Sequence, residues 1–192
     1  MDSQQQRLRL LSETAEVGDW QYILKTNVTQ WSEYLYNFYE LDKTFNCSEL
    51  LEKTTLYQQS QKEKMRNFVD QAITTKTQCR EEFMILMDDG RHKWQATTIY
   101  PILDESGNVI SLYGILQNIS LQKKAEENNK KKHQFYNYIL DRLPTELVVL
   151  DEKGRYIYAN HTAIKSKKSR GLDIGVNHDA YCKMGNWVPA IE

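Results

Sequence analysis

The stretch that decides the fold runs from Cys79 to Glu126 and reads CREEFMILMDDGRHKWQATTIYPILDESGNVISLYGILQNISLQKKAE. It contains three runs rich in apolar and β-favouring residues, each long enough for a strand. These runs are Glu82–Met87, Arg91–Leu103 and Val109–Ile119. The stretch therefore predicts three consecutive strands.

Two glycine-containing turns separate the three runs. Asp89-Gly90 ends the first run, and an Asp-Gly step supplies the positive φ that a short hairpin turn requires. The cluster DESGN at 104–108 ends the second run, with Gly107 where the backbone must reverse. Because such short connections join antiparallel neighbours, we expect the three strands to be antiparallel.

A long polar helix is predicted after the third strand. Serine is favoured at helix N-caps, so Ser120 is predicted to cap this helix. No glycine or proline occurs from Ser120 to Asp141. A single helix of about 20 residues, roughly 30 Å long, therefore fits the segment. Three strands that lead into such a helix are typical of a sensing module rather than of an active site.

The segment before Cys79 has signals for two strands and several helices. Trp20–Lys25 and Val28–Trp31 predict a hairpin with a two-residue turn at Thr26-Asn27, and 32–39 predicts a short helix. The clearest helix is Ser60–Thr75, because its apolar residues recur every three or four positions. They are Met65, Phe68, Val69, Ala72 and Ile73.

These motifs resemble those of the PAS domain family. In the C-terminal half the resemblance rests on Glu82-Phe83-Met84, Asp89-Gly90, Trp94, Pro101, Asp104, Gly107, Gly114-Ile115, Asn118-Ile119-Ser120, Lys124 and Ala125-Glu126. In the N-terminal half it rests on Gly18-Asp19-Trp20-Gln21-Tyr22 and Trp31-Ser32. The match spans residues 12–126. It departs from the family at the closing DIT, here Asn118-Ile119-Ser120, and at the HPDD before the long helix, here Tyr57-Gln58-Gln59-Ser60.

The resemblance implies an α+β fold and a division of the chain. The fold would be a five-stranded antiparallel sheet covered by helices on one face, flanked by an N-terminal amphipathic helix and a C-terminal connector helix. We expect the flanking helix at residues 1–17, the PAS domain at 18–120 and the connector, or signalling, helix at 121–142. Residues 143–192 resemble the N-terminal part of a second PAS unit.

The second unit is predicted to be truncated. Leu147–Leu150 and Tyr156–Ala159 predict two strands around a turn that contains Gly154. The segment 171–182 is similar to the part that precedes the long helix in such units. A whole unit would need roughly twice the length of residues 143–192. We therefore expect its three C-terminal strands to be missing and the chain to be a piece of a longer protein.

The composition narrows the class of protein. The chain has 192 residues and a formal net charge of −1, which gives no electrostatic reason to expect nucleic acid as a partner. It has neither an apolar run of about 18 residues nor a signal peptide, so no membrane segment is predicted. The cysteines, Cys47, Cys79 and Cys182, form no C-x-x-C pair and indicate a reduced, cytoplasmic protein.

No motif for catalysis or for a metal is present, so we expect this chain not to be an enzyme. His133 is followed by Gln134 and Phe135 rather than by the acidic residue of a phosphoacceptor motif, and we interpret it as a polar linker residue. The helix Ser60–Thr75 contains no histidine for haem, and Cys47 lies too early for a flavin photoreceptor motif. We predict no haem or flavin cofactor and a colourless protein.

Two hypotheses remain for the domain. It is either a small-molecule sensor, whose hollow binds a ligand with unequal affinity for two states, or a dimerisation and relay module whose core is filled by its own side chains. The candidate lining residues are Tyr22, Phe38, Phe83, Ile85, Leu112 and Leu116. The resemblance implies an output domain downstream, most often the histidine kinase of a two-component system, with a cyclic-dinucleotide enzyme or a transcription regulator as alternatives. The sequence does not identify the ligand.

Apolar residues outside the predicted core favour a homodimer. In the helix Arg7–Ala15, Leu8 and Leu11 share a face while Leu10 lies on another, so the helix needs cover on two sides. The connector has a seam spaced at four and three, which predicts either a weak parallel coiled coil or a solvated spacer helix. That seam is Leu121, Ala125, Asn128, Lys132, Phe135 and Ile139. The predicted dimer and signalling residues are Leu8, Leu10, Leu11, Leu121, Phe135 and Ile139.

Overall fold

The structure, a computed structural model, describes residues 3–165, with side chains for all of these except residues 3–5, 8 and 165. It divides into two compact units, Met1–Lys124 and Ala125–Glu192, and each is described by itself. The first unit contains a five-stranded antiparallel sheet. The predicted α+β fold is therefore confirmed.

The elements of the first unit follow the predicted order of two strands, several helices and three strands. They are α1 (Ser3–Ala15), β1 (Val17–Ile23), β2 (Val28–Trp31), α2 (Glu33–Tyr39), a 3-10 turn (Cys47–Glu49), α3 (Leu50–Lys53), α4 (Gln59–Thr75), β3 (Cys79–Leu86), β4 (His92–Leu103) and β5 (Val109–Asn118). The helix α5 (Ser120–Leu140) begins in this unit. The strand order is β2-β1-β5-β4-β3.

The predicted turns between β3, β4 and β5 are present. Gly90 and Gly107 have φ of +83° and +78°, the left-handed backbone that glycine adopts without strain. The β1–β2 connection differs from the prediction. Ile23 pairs with Val28, so the loop has four residues, 24–27, and Asn27 takes a positive φ at its end. The left-handed Asn27 closes the loop where a two-residue turn was expected.

The core lies between the sheet and α2, α3 and α4. As the apolar spacing of α4 predicts, Phe68 and Ala72 are buried, and Met65, Val69 and Ile73 pack against the same cluster. The cluster also contains Leu35, Phe38, Tyr39, Leu50, Leu56, Tyr57, Phe83, Ile85, Met87, Ile99, Leu112 and Leu116. Each large apolar side chain that is fully buried there contributes about 1.5–3 kcal/mol.

The second unit contains a small hairpin. The strands β6 (Val148–Leu150) and β7 (Tyr156–Ala159) pair antiparallel, as predicted, and α6 (His161–Lys165) follows. Tyr156, Ala159 and Ala163 are buried, whereas all three residues of β6 are exposed. The segment 171–182 and Cys182 lie outside the described residues. Between residues 3 and 165, none of the helices is long and apolar enough to cross a membrane.

Candidate functional site

A cavity of about 420 Å³ lies between the inner face of the sheet and the helices of the first unit. This volume is within the usual range for small-molecule sites, about 300–1,000 Å³. The strands and helices that enclose it supply Trp20, Tyr22, Thr29, Trp31, Leu35, Tyr39, Cys47, Ser48, Leu50, Leu51, Tyr57, Met65, Arg66, Val69, Asp70, Gln95, Thr97 and Leu116. The wall is mostly aromatic and aliphatic.

The floor of the cavity depends on Gly114. Trp20 on β1 is the register partner of Gly114 on β5. A Cβ atom built on Gly114 would overlap the indole atoms Cε2, Cζ2 and Nε1 of Trp20. The indole therefore lies directly over the backbone of β5, in space that the side chain of any other residue would fill.

A second aromatic surface forms one wall. Trp31 on β2 is the register partner of Trp20, so both indoles are on the same face of the sheet. The rings of Trp31 and Tyr39 are stacked, with centroids 4.9 Å apart and an interplanar angle of 26°. The cavity thus has two flat aromatic surfaces, Trp20 as floor and Trp31–Tyr39 as wall.

A closed ring of hydrogen bonds borders the cavity. The hydroxyl of Tyr39 donates to Gln95 Oε1 at 2.9 Å, and Gln95 Nε2 donates to the Tyr57 hydroxyl at 2.8 Å. The two tyrosine oxygens are 2.9 Å apart, so Tyr57 donates to Tyr39 and completes the ring. Gln95 Nε2 also approaches Thr97 Oγ1 at 3.4 Å. We name Tyr39, Tyr57 and Gln95 the polar ring.

Burial further disfavours ionisation of three groups of this wall, the phenols of Tyr39 and Tyr57 and the thiol of Cys47. Desolvation raises the pKa of Tyr39 to about 12 and raises the pKa of Tyr57 well above its ordinary value. Desolvation also raises the pKa of the Cys47 thiol, which donates to the Thr29 carbonyl oxygen at 2.8 Å. At neutral pH the two phenols and the thiol are therefore neutral.

The charged residues of the cavity lie at its rim. Arg66 and Asp70 are exposed and stand one turn apart on α4. Ser48, also exposed, accepts a hydrogen bond from the Thr29 N–H at 2.8 Å. The mouth is therefore bordered by α4 on one side and by β2 and the 3-10 turn on the other.

The structure separates the six residues that the sequence predicts to line a hollow. Tyr22 and Leu116 line the cavity. Phe38, Phe83, Ile85 and Leu112 lie in the core cluster and are absent from the cavity wall. Sequence reasoning missed the contributions of Trp20, Trp31, Tyr39, Tyr57 and Gln95. Two signals were available: Trp20/Tyr22 and Thr29/Trp31 alternate on one face of a hairpin, and Gln95 and Thr97 are two positions apart in β4, so they share a face.

The start of α5 is tied to β4 beside the cavity. The backbone N–H of Trp94 donates to the Ser120 hydroxyl at 2.9 Å, and the N–H of Ile119 donates to the Trp94 carbonyl oxygen at 2.9 Å. The prediction that Ser120 caps α5 is wrong, because the helix begins at Ser120 itself and β4 engages the hydroxyl. Asn118 Oδ1 accepts from the Ser120 N–H at 3.0 Å, which closes a tight turn between β5 and α5.

Five of the six predicted dimer and signalling residues have their side chains in solvent. Leu10, Leu11, Leu121, Phe135 and Ile139 are exposed, each by 44% or more. Leu8 lies within α1, and its side chain is outside the described part of the structure. Within residues 3–165, no group of three or more histidine, cysteine or acidic side chains is placed to hold a metal ion.

The sheet order, the helices over one face and the cavity that opens between them define an α+β domain with a hollow. Residues 41–124 match a family model described as the PAS fold. These residues of the first unit are therefore similar to PAS domains, and the resemblance seen in the sequence is confirmed.

Several solved structures are similar to this chain. A sensory box histidine kinase/response regulator from Burkholderia thailandensis E264 is 14% identical, with 69% of this chain and 98% of that chain covered and a TM-score of 0.51. An RNA-binding light-oxygen-voltage receptor is 11% identical, with 67% and 34% covered and a TM-score of 0.50. The N-terminal domain of a diguanylate cyclase with PAS/PAC sensor from Marinobacter aquaeolei is 17% identical, with 56% and 98% covered and a TM-score of 0.48. At these identities the likeness concerns the fold alone, and none of the curated proteins matches the chain.

Proposed function

We propose that the first unit is the sensory module of a signal-transduction protein, in which a small molecule bound in the cavity changes the first turn of α5. One observation carries the proposal. Gln95 belongs to the polar ring of the cavity, and its neighbour Trp94 holds the start of α5 through its backbone N–H and carbonyl. A ligand that displaces Gln95 therefore also displaces the adjacent Trp94 and the hydrogen bonds that hold the start of α5.

The side chain of Trp94 supports this relay. The ammonium group of Lys123 lies 5.4 Å from the centroid of the Trp94 ring and 2.7 Å from a carboxylate oxygen of Glu82. The first turn of α5 thus contacts both β3 and β4. A ligand shifts such an arrangement only to the extent that it binds two states with different affinity.

Filling the cavity by mutation tests the relay without a known ligand. Val69→Trp adds bulk to the cavity wall from α4, and Gln71→Trp places the same side chain on an exposed position of that helix as a control. We expect hydrogen exchange of the amides at 119–124 to change about fivefold or more in Val69→Trp alone, the lower end of ordinary coupling between sites. Equal exchange in both variants would contradict the relay.

Mass spectrometry of extracts from the denatured, purified chain would identify a ligand that copurifies.

A homodimer is the second part of the proposal, supported by the exposed apolar residues of α1 and α5. The alternative function, a dimerisation and relay module with no ligand, rests on the same residues. Leu10→Glu with Leu11→Glu should weaken a dimer by orders of magnitude, because each buried leucine contributes about 1.5–3 kcal/mol. Gln6→Glu with Thr14→Glu adds the same charge at exposed positions of α1 and is the control. Light scattering that shows a monomer for the unmutated chain at high micromolar concentration would overturn the dimer.

For the whole protein we propose a domain arrangement and an output. The arrangement is a flanking helix at 1–17, the PAS domain at 18–120, a connector at 121–142 and a second PAS-like unit from 143. The output is the histidine kinase of a cytoplasmic two-component system, for which the name of the Burkholderia structure is support by fold analogy only. A cyclic-dinucleotide enzyme or a transcription regulator is the alternative.

Incubation with ATP tests the kinase output. We expect acid-labile phosphorylation of the full-length protein and none of this chain alone. Absence of phosphorylation from the full-length protein as well would contradict the kinase.

A further inference from the structure

We propose that the cavity takes a neutral, flat, mainly apolar aromatic molecule, an inference that rests on the sensory function proposed above. The first argument is charge. Among the described residues that line the cavity, the charged ones are Arg66 and Asp70, which are opposite in sign and exposed at the rim. A charged group deep in the cavity would lose its hydration and find no counter-charge there, which is costly.

The second argument is the use of hydrogen-bond donors within the polar ring. The polar ring uses the hydroxyl protons of Tyr39 and Tyr57 within itself, and Gln95 Nε2 donates to Tyr57 and approaches Thr97. Carboxylates, phosphates and sugars are held by several donors that converge on their oxygens. The polar ring offers oxygen lone pairs instead, and Thr97 supplies a single hydroxyl. The polar ring is therefore poorly matched to a ligand with many acceptors.

The third argument is shape. The indole of Trp20 lies over the backbone of Gly114, and Trp31 stacks on Tyr39 as a second flat surface. Aromatic pairs favour offset-stacked and edge-to-face arrangements with centroids about 4.5–7 Å apart. Leu35, Leu50 and Met65 complete the wall with aliphatic surface. A planar aromatic ligand uses all of these contacts at once.

Two fluorescent probes with the same ring system test the inference on the full chain. N-phenylnaphthylamine is neutral, and anilinonaphthalene sulfonate carries one negative charge on the same skeleton. We expect the neutral probe to bind at least about tenfold more tightly, a difference of about 1.4 kcal/mol. Gly114→Ala, which forces the Trp20 indole off the strand, and Val69→Trp should each weaken the neutral probe about tenfold or more, whereas Gln71→Trp should leave it unchanged.

Each outcome bears on the inference. If both probes bind equally and both are lost in Val69→Trp, selection for a neutral ligand is overturned while the sensory cavity stands. If the neutral probe binds with unchanged affinity in Val69→Trp and in a folded Gly114→Ala, it binds elsewhere and the inference is overturned. If neither probe binds, the cavity does not take such molecules, and only a copurifying ligand of another class would keep the sensory function. Should Gly114→Ala fail to fold by circular dichroism, Val69→Trp with Gln71→Trp decides alone.

Discussion

Gln95 in the first unit and Asn160 in the second are both buried carboxamides with hydrogen bonds to several partners, yet their partners differ in kind. Gln95 bonds the side chains of Tyr39, Tyr57 and Thr97. The partners that residues 3–165 supply to the Asn160 side chain are backbone groups: its oxygen accepts from the N–H groups of Leu147 and Ala163, and its nitrogen donates to the carbonyls of Leu140 and Thr145. One amide organises a cavity wall, and the other fixes the path of the chain.

The difference has an energetic consequence. Side-chain partners can be replaced by apolar groups of the same shape. When every partner is replaced together, the free energy of unfolding changes little. Backbone partners cannot be replaced, so removing the amide that serves them leaves polar groups without partners. We therefore expect Asn160 to be indispensable for its unit, whereas Gln95 is dispensable if its partners change with it.

The largest effect is predicted for Asn160→Ala. The variant loses four hydrogen bonds to backbone groups, and each buried group left unsatisfied costs about 1–3 kcal/mol. Hydrogen exchange measured by mass spectrometry should show loss of protection across 143–165 and unchanged protection across 79–118. Asn137→Ala, at an exposed position of α5, is the control. Unchanged protection of the β7 amides in Asn160→Ala would show that Asn160 is not indispensable for its unit.

The second prediction concerns the polar ring. Gln95→Leu should lower the free energy of unfolding of the first unit by about 1–3 kcal/mol, because Tyr39 and Tyr57 lose their bonds to the amide. Adding Tyr39→Phe and Tyr57→Phe should recover most of this loss, since the triple variant no longer contains the two tyrosine hydroxyls that lost their bonds to the amide. Urea denaturation of the single and triple variants measures the coupling. A triple variant less stable than Gln95→Leu would show that the ring itself is required.

A pH experiment isolates Tyr39. Desolvation raises the pKa of Tyr39 in the folded state to about 12, whereas a free tyrosine has a pKa of about 10. The neutral phenol therefore stabilises the folded state fully below pH 10, and this stabilisation is lost as pH rises toward 12. A shift of this size corresponds to about 2–3 kcal/mol. In Tyr39→Phe the loss of stability between about pH 10 and 12 should be shallower than in the unmutated chain. Parallel curves would mean that Tyr39 does not govern the alkaline transition.

The smallest effect is expected at an exposed ion pair. Lys64 Nζ lies 2.7 Å from Glu81 Oε1, and both side chains are 40% exposed. The hydrogen bond from Lys64 lowers the pKa of Glu81 in the folded state. The ion pair therefore adds to the free energy of unfolding above the ordinary glutamate pKa, and this stabilisation is lost as pH falls through the lowered pKa of Glu81. Solvent screening limits the effect of Glu81→Gln at neutral pH to below about 1 kcal/mol by thermal denaturation. A loss as large as that of Gln95→Leu would remove the distinction between surface and buried partners.

The sequence predicted the strands well because their limits are local. The turns at Gly90 and Gly107 are encoded by adjacent residues, and the face of α4 follows from spacing alone. The cavity could not be read in the same way. Phe83 and Leu116 have the same hydrophobic character, and only the packing of helices onto the sheet decides that Leu116 faces a void while Phe83 does not.

Long-range register explains the other differences between sequence and structure. Nothing near Gly114 in the sequence indicates that Trp20 lies over it, because the pairing of β1 with β5 brings together residues far apart in the chain. Likewise, Ser120 follows a strand and precedes a helix, which is the local pattern of an N-cap. Its hydroxyl instead contacts Trp94, a partner that depends on the pairing of β4 with β5.

The placement of Trp20 and Trp31 gives the cavity an optical reporter of its own. Both indoles line the hollow, whereas Trp94 contacts Lys123 at the start of α5 and Trp187 lies outside the described residues. Part of the ultraviolet emission of this chain therefore originates inside the candidate site. A bound molecule that absorbs in the near ultraviolet would accept excitation energy from these two rings, so occupancy could be followed without any label.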